Sequence, residues 1–219
     1  MSCASANNSK DMEKLLKQSP VIPVLTIDNI EEAVPLAKAL VRGGLTILEV
    51  TLRTSCAYDA IELIRDEVPD AIVGGGTVTS EEHLERLNAV GAHFAVSPGI
   101  TNELLKRAKE LNMPYLPGIT SVSELMTGLN AGYEVFKFFP AAASGGVPAL
   151  KSFSGPFSHV RFCPTGGINK ENFENYLDLP NTLCVGGSWV APKDAIAAGN
   201  WERIESLSRE AVQAVCQRA

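Results

Sequence analysis

The chain is 219 residues long, 45% hydrophobic, and carries a formal net charge of −6. That length suffices for one well-buried core, and the acidic balance argues against nucleic acid as the main partner, because phosphate binding wants a basic face. No apolar run reaches membrane-spanning length, and Met1–Gln18 lacks the apolar centre of a secretory signal, so the sequence points to a cytoplasmic protein with no membrane partner.

In chain order, residues 1–19 read as a polar N-terminal segment, with Met1–Lys10 frayed and a short amphipathic helix over Asp11–Gln18. A strand-helix unit then begins and repeats through residues 20–219, which read as one domain. Val21–Leu25 is a strand, and Asp28 caps a helix that runs to Val41 and stops at Gly43-Gly44. Leu45–Leu52 is the second strand, with a helix over Cys56–Glu67. Ala71–Val73 leads into Gly74-Gly75-Gly76-Thr77, and Ser80 caps a helix that ends at Gly91. Phe94–Val96 precedes Ser97-Pro98-Gly99 and a helix over Asn102–Leu111. Tyr115-Leu116 precedes Pro117-Gly118 and a helix over Ser121–Ala131.

The sixth strand is Glu134–Pro140, followed by a small-residue loop and a helix around Pro148–Phe153. Val160–Cys163 is the seventh, leading into Thr165-Gly166-Gly167 and a helix over Glu171–Asp178 capped by Asn169. Leu183–Val185 is the eighth, leading into Gly186-Gly187-Ser188, and a final helix covers Trp201–Gln217. Alternating units recurring roughly every 20 to 25 residues imply a parallel sheet. Eight of them close a (β/α)8 TIM barrel, α/β in class, the alternative being an open doubly wound sheet.

Glu134-Val135-Phe136-Lys137-Phe138-Phe139-Pro140 carries the sharpest chemical signal. Runs this apolar are strands covered on both faces, and charge is normally excluded from them. Loss of hydration there favours the free, nucleophilic amine that Schiff-base chemistry requires. The competing reading is an edge strand whose lysine points at water, but a closed barrel has no edge. Period-2 alternation turns Val135, Lys137 and Phe139 toward the barrel axis and Phe136 and Phe138 toward the helices. The same rule applied to Leu48-Glu49-Val50-Thr51-Leu52-Arg53 places Glu49, Thr51 and Arg53 inward. An internal ion network without chemistry is the bland alternative, yet buried charge is a poor stabiliser compared with apolar packing. Gly166-Gly167 and Gly187-Ser188 follow the last two strands, where barrels often bind phosphate through backbone N–H groups.

The five cysteines, odd in number and scattered, read as reduced thiols. His83, His93 and His159 lie far apart, so no metal site is expected.

Leu48–Thr54, Gly76-Thr77-Val78, Ser97-Pro98-Gly99, Pro117-Gly118, Phe136–Ala141, Arg161–Ile168 and Val185–Trp189 together resemble the 2-keto-3-deoxy-6-phosphogluconate (KDPG) aldolase family, in order from Pro20 onward. The resemblance implies a metal-free class I aldolase, homotrimeric, with a keto acid substrate and no cofactor beyond a covalent Schiff base on Lys137. It implies Glu49 as general acid/base, Arg53 and Thr77 on the pyruvate carboxylate, and Gly166, Gly167, Gly187 and Ser188 on the phosphate. Pro98, Phe139 and Thr165 would wall the pocket. The family also cleaves 4-hydroxy-2-oxoglutarate. A different phosphate-binding barrel enzyme, such as a sugar-phosphate isomerase or epimerase, would keep the glycine loops but need no imine.

Overall fold

The computed structural model describes residues 4–216, with side chains described from Ser9 to Val215. The expected fraying of Met1–Cys3 and the last helical residue, Gln217, lie outside the described residues. The elements run α1 (Ala4–Leu16), β1 (Val21–Leu25), α2 (Ala33–Arg42), β2 (Ile47–Thr51), α3 (Ala57–Glu67), β3 (Ile72–Gly76), α4 (Glu81–Ala89), β4 (Ala95–Val96) and α5 (Asn102–Glu110). They continue with β5 (Tyr115–Leu116), β6 (Gly118–Ile119), α6 (Val122–Asn130), β7 (Val135–Phe138), α7 (Gly146–Phe153), β8 (Arg161–Pro164), α8 (Phe173–Leu177), β9 (Val185–Gly187), α9 (Lys193–Ala197) and α10 (Trp201–Cys216).

All strand pairings are parallel, in a six-stranded sheet ordered β5-β4-β3-β2-β1-β9 and a three-stranded sheet ordered β6-β7-β8. The single continuous eight-stranded ladder expected from the repeat is therefore interrupted. One break falls at Pro117, which separates β5 from β6 and has no N–H to donate. The other lies between β8 and β9, where isolated bridges, Phe162–Thr182 and Thr165–Gly186, stand in place of a ladder among the described residues.

Strand alternation sorts the core into two clusters. Leu48, Val50, Val73, Phe136, Phe138 and Phe162 pack outward against the helices. Ile22, Ile47, Val96, Leu116, Val135, Cys163 and Cys184 face one another in a smaller inner cluster. The helices that cover the outer face start where short polar side chains can satisfy free N–H groups. Ser121 and Glu124 form a reciprocal capping box on α6, and Thr101 accepts from Leu104 N on α5.

The N-terminal helix is longer than the sequence suggested, starting at Ala4 rather than Asp11. Its Met12, Leu15 and Leu16 complete the inner cluster, each buried apolar side chain contributing about 1.5–3 kcal/mol. Ser9 Oγ accepts from Glu134 N at 3.1 Å, which fixes the helix under the N-terminal end of β7. Ser9 and Lys10, read as part of a frayed segment, thus belong to this helix, and Ser9 is tied to β7. Among the described residues, no helix is long and apolar enough to cross a membrane.

Candidate active site

Lys137 on β7 and Glu49 on β2 meet across the interior. Lys137 Nζ donates to Glu49 Oε1 at 3.0 Å, with the two residues only 5% and 3% exposed. Alternation explains the meeting: Phe136 and Phe138 fill the outer cluster and Val135 the inner one, so Lys137 shares the inward face with Val135. Glu49 stands on the inward face of β2 by the same count, between the outward Leu48 and Val50. Gly76 leaves the space it occupies, since a Cβ there would come within 2.2 Å of Glu49 Oε1.

The other inward polar residue of β2, Thr51, spends its hydroxyl on structure, donating to Leu25 O at 2.8 Å. Arg53 does not sit on the strand face that alternation assigned to it. Strand β2 stops at Thr51, the chain turns, and Arg53 N donates back to Thr51 O at 2.8 Å. The turn leaves Arg53 exposed at the rim of a cavity, so it reaches the site by loop geometry rather than by strand register.

That cavity, about 270 Å³, opens at the C-terminal ends of β1, β2, β7, β8 and β9. Arg53, Phe139, Thr165, Gly166, Gly167, Gly187 and Ser188 all line it. Gly166 and Gly167 have φ of 100° and 72°, conformations that disfavour a side chain and let a loop present its backbone. Phe139 connects the cavity to the buried pair, its ring centroid 5.4 Å from Lys137 Nζ. The Thr165 hydroxyl is buried on the cavity wall and has no hydrogen-bond partner among the described residues. Thr77 and Pro98 do not line this cavity. Thr77 follows β3 directly and holds φ 63°, a strained conformation for a β-branched residue.

Sequence reasoning missed Val24, Thr26 and Lys193, which also line the cavity. Thr26 could have been found as the first polar residue after β1, beside Thr51 at 3.2 Å between hydroxyl oxygens. Lys193 lies in α9, whose five residues are too few to show helical periodicity.

Cys163 and Cys184 lie buried in the inner cluster. Burial first, then the hydrogen bond and charge of Cys163 and the charge of Glu49, hold the Cys184 thiol well above the usual thiol range. A raised value keeps the thiol protonated at pH 8, where the thiolate is the reactive form. Iodoacetamide at pH 8 is therefore expected to leave the Cys184 peptide unlabelled in the native protein and to label it in denaturant. Native labelling at a rate equal to the denatured one would contradict this.

A family model described as aldolase, KDPG and KHG aldolase, matches residues 12–207. The chain is 56% identical over 201 residues to the KHG/KDPG aldolase of Escherichia coli K12, covering 92% of this chain and 94% of that protein. It superposes with TM-score 0.90 and 51% identity on the KDPG aldolase of Legionella pneumophila, solved with pyruvate captured at low pH as a covalent carbinolamine intermediate; 92% of this chain and 98% of that one are covered. The KDPG aldolase of Zymomonas mobilis ZM4 with 3-phosphoglycerate gives TM-score 0.87 and 47% identity over 93% of this chain and 96% of that one.

Proposed function

The chain belongs to the KDPG and KHG aldolase family, and from that premise we propose that Lys137 is its Schiff-base nucleophile and Glu49 its general acid/base. The enzyme is a class I aldolase, a carbon-carbon lyase that cleaves 2-keto-3-deoxy-6-phosphogluconate to pyruvate and glyceraldehyde 3-phosphate. It also cleaves 4-hydroxy-2-oxoglutarate to pyruvate and glyoxylate. The observation that carries the residue assignment is the buried Lys137–Glu49 pair at 3.0 Å beside a cavity lined by cations and glycines.

The Lys137 amine, once its proton has passed to Glu49, adds to the C2 ketone to give a carbinolamine. Loss of the C2 hydroxyl as water leaves a protonated imine. A base then takes the C4 hydroxyl proton, the C3–C4 bond breaks, and its electron pair flows to the imine nitrogen. The aldehyde departs and an enamine of pyruvate remains; protonation at C3 and hydrolysis return the free amine. Glu49, in hydrogen-bond reach of the nitrogen, serves these proton transfers in turn. Arg53 and Thr77 hold the pyruvate carboxylate, Arg53 by a bidentate fork. Gly166, Gly167, Gly187 and Ser188 bind the phosphate. Phe139 and Pro98 keep water from the imine, and the unsatisfied Thr165 hydroxyl offers a partner to a substrate oxygen.

The two sheets together form one closed (β/α)8 barrel, a reading supported by the Thr165–Gly186 bridge and by the interruption at Pro117 being a single residue. Residues 20–219 constitute that single domain, preceded by the segment 1–19. The family's homotrimer would cover Val122 and Met126 of α6, which stand 42% and 51% exposed.

Pyruvate with borohydride is expected to leave a stable adduct on Lys137, located by peptide mass spectrometry. Labelling of a different lysine, or of none, would remove the assignment.

A further inference from the structure

The rim of the active cavity holds a cation that the mechanism above does not use. Lys193 lines the active cavity and also a second one of about 280 Å³ beside it, and the two share Val24, Thr26, Ser188 and Lys193. Other basic groups near this end are spoken for. Arg203 pairs with Asp194 at 2.6 Å and Lys170 with Glu210 at 2.7 Å. Among the described residues, no carboxylate lies within ion-pair distance of either Arg53 or Lys193.

The charge balance makes this arrangement informative. A phosphorylated keto acid brings one carboxylate charge and a further −1.5 to −2 or so from its phosphate near neutral pH. It approaches a protein of net charge −6. Arg53 answers the carboxylate, while glycine N–H groups and the Ser188 hydroxyl supply hydrogen bonds but no positive charge. Lys193 and Ser188 line both this cavity and the second one beside it, whereas Phe139, the residue against Lys137, lines only the first.

We propose that Lys193 is a specificity-determining residue, a mobile ammonium that closes over the distal phosphate and selects the phosphorylated substrate over the shorter dicarboxylate. This rests on the phosphate assignment above, and it adds a residue of this chain to it. An exposed ammonium on a flexible stem contributes modestly to affinity and mainly to capture, so its effect falls on KM and on salt sensitivity.

Lys193→Met and Lys193→Glu provide the test, with kcat and KM measured for both substrates at two salt concentrations. Lys193→Met is expected to raise KM for 2-keto-3-deoxy-6-phosphogluconate about three- to tenfold, with kcat within about twofold. Lys193→Glu is expected to raise KM further, and Lys193→Arg to restore it. KM for 4-hydroxy-2-oxoglutarate should change less than about twofold in every variant. In parallel, calorimetric titration with 3-phosphoglycerate, which needs no turnover, should weaken by a similar factor in Lys193→Met. Unchanged KM and unchanged 3-phosphoglycerate affinity would overturn the role of Lys193 while leaving the aldolase assignment intact. Equal losses on both substrates would overturn it as well, by showing a structural effect. Failure of the wild-type protein to cleave the phosphorylated acid would instead overturn the functional reading, and the calorimetry would still decide whether Lys193 binds a phosphomonoester.

Discussion

Lys137→Met is expected to lower turnover by on the order of 10⁴- to 10⁶-fold, the range seen when a covalent nucleophile is removed from an enzyme. No adduct should form with pyruvate and borohydride. Methionine keeps most of the volume and apolar stem of lysine, so the inner cluster stays filled. What it removes is the partner of Glu49, whose carboxylate is 3% exposed and donates nothing of its own. A buried carboxylate stripped of its cation costs about 3–5 kcal/mol while it remains ionised. Urea unfolding at neutral pH should therefore show the single variant destabilised by about that amount. The double variant Lys137→Met/Glu49→Gln, with both charges gone, should recover much of the loss while staying inactive. Full stability in the single variant would mean that the pair is far better solvated than its burial indicates.

Glu49→Gln separates the second role from the first. Glutamine keeps the shape and an oxygen to accept from Lys137, but it cannot take or return a proton. The expected result is a fall in kcat of about 10²- to 10⁴-fold, the usual contribution of a positioned acid/base. Slow trapping of pyruvate on Lys137 should persist, because the nucleophile is still present. A variant that neither turns over nor traps would assign Glu49 to holding the lysine in place rather than to proton transfer. Gly76 bears on the same point, since any side chain there would crowd Glu49 Oε1.

Much of this is legible in the sequence. Glu49 and Lys137 were placed inward by counting alternate residues, because a strand covered on both faces has only two directions to offer. The glycine loops after β8 and β9 were found for a similar reason, since tight turns have few residue solutions. Arg53 shows where counting stops working. It lies two residues past the end of β2, in a turn where alternation has no meaning. Helix starts were misplaced where two short polar residues competed. Asn29 rather than Asp28 caps the 3-10 turn at Ile30–Glu32 that precedes α2, and α8 begins at Phe173, after Asn172. Helix α1 reaches further than its local pattern indicates, because its anchors, the burial of Met12, Leu15 and Leu16 and the bond from Glu134 N to Ser9, involve residues distant in sequence. Likewise, the break at Pro117 depends on which partner its missing N–H would have served.

Helix α1 also governs traffic. By packing beneath β7 and into the inner cluster, it fills the interior at that end, and the cavity bordered by Arg53 and Ser188 stands at the opposite rim. Everything that reaches Lys137 must leave by the way it came. The aldehyde fragment, lying nearer the mouth and no longer bonded after cleavage, goes first, and the pyruvate fragment tethered to the floor follows. Run backwards, the queue inverts: pyruvate must already be seated before an aldehyde can usefully arrive.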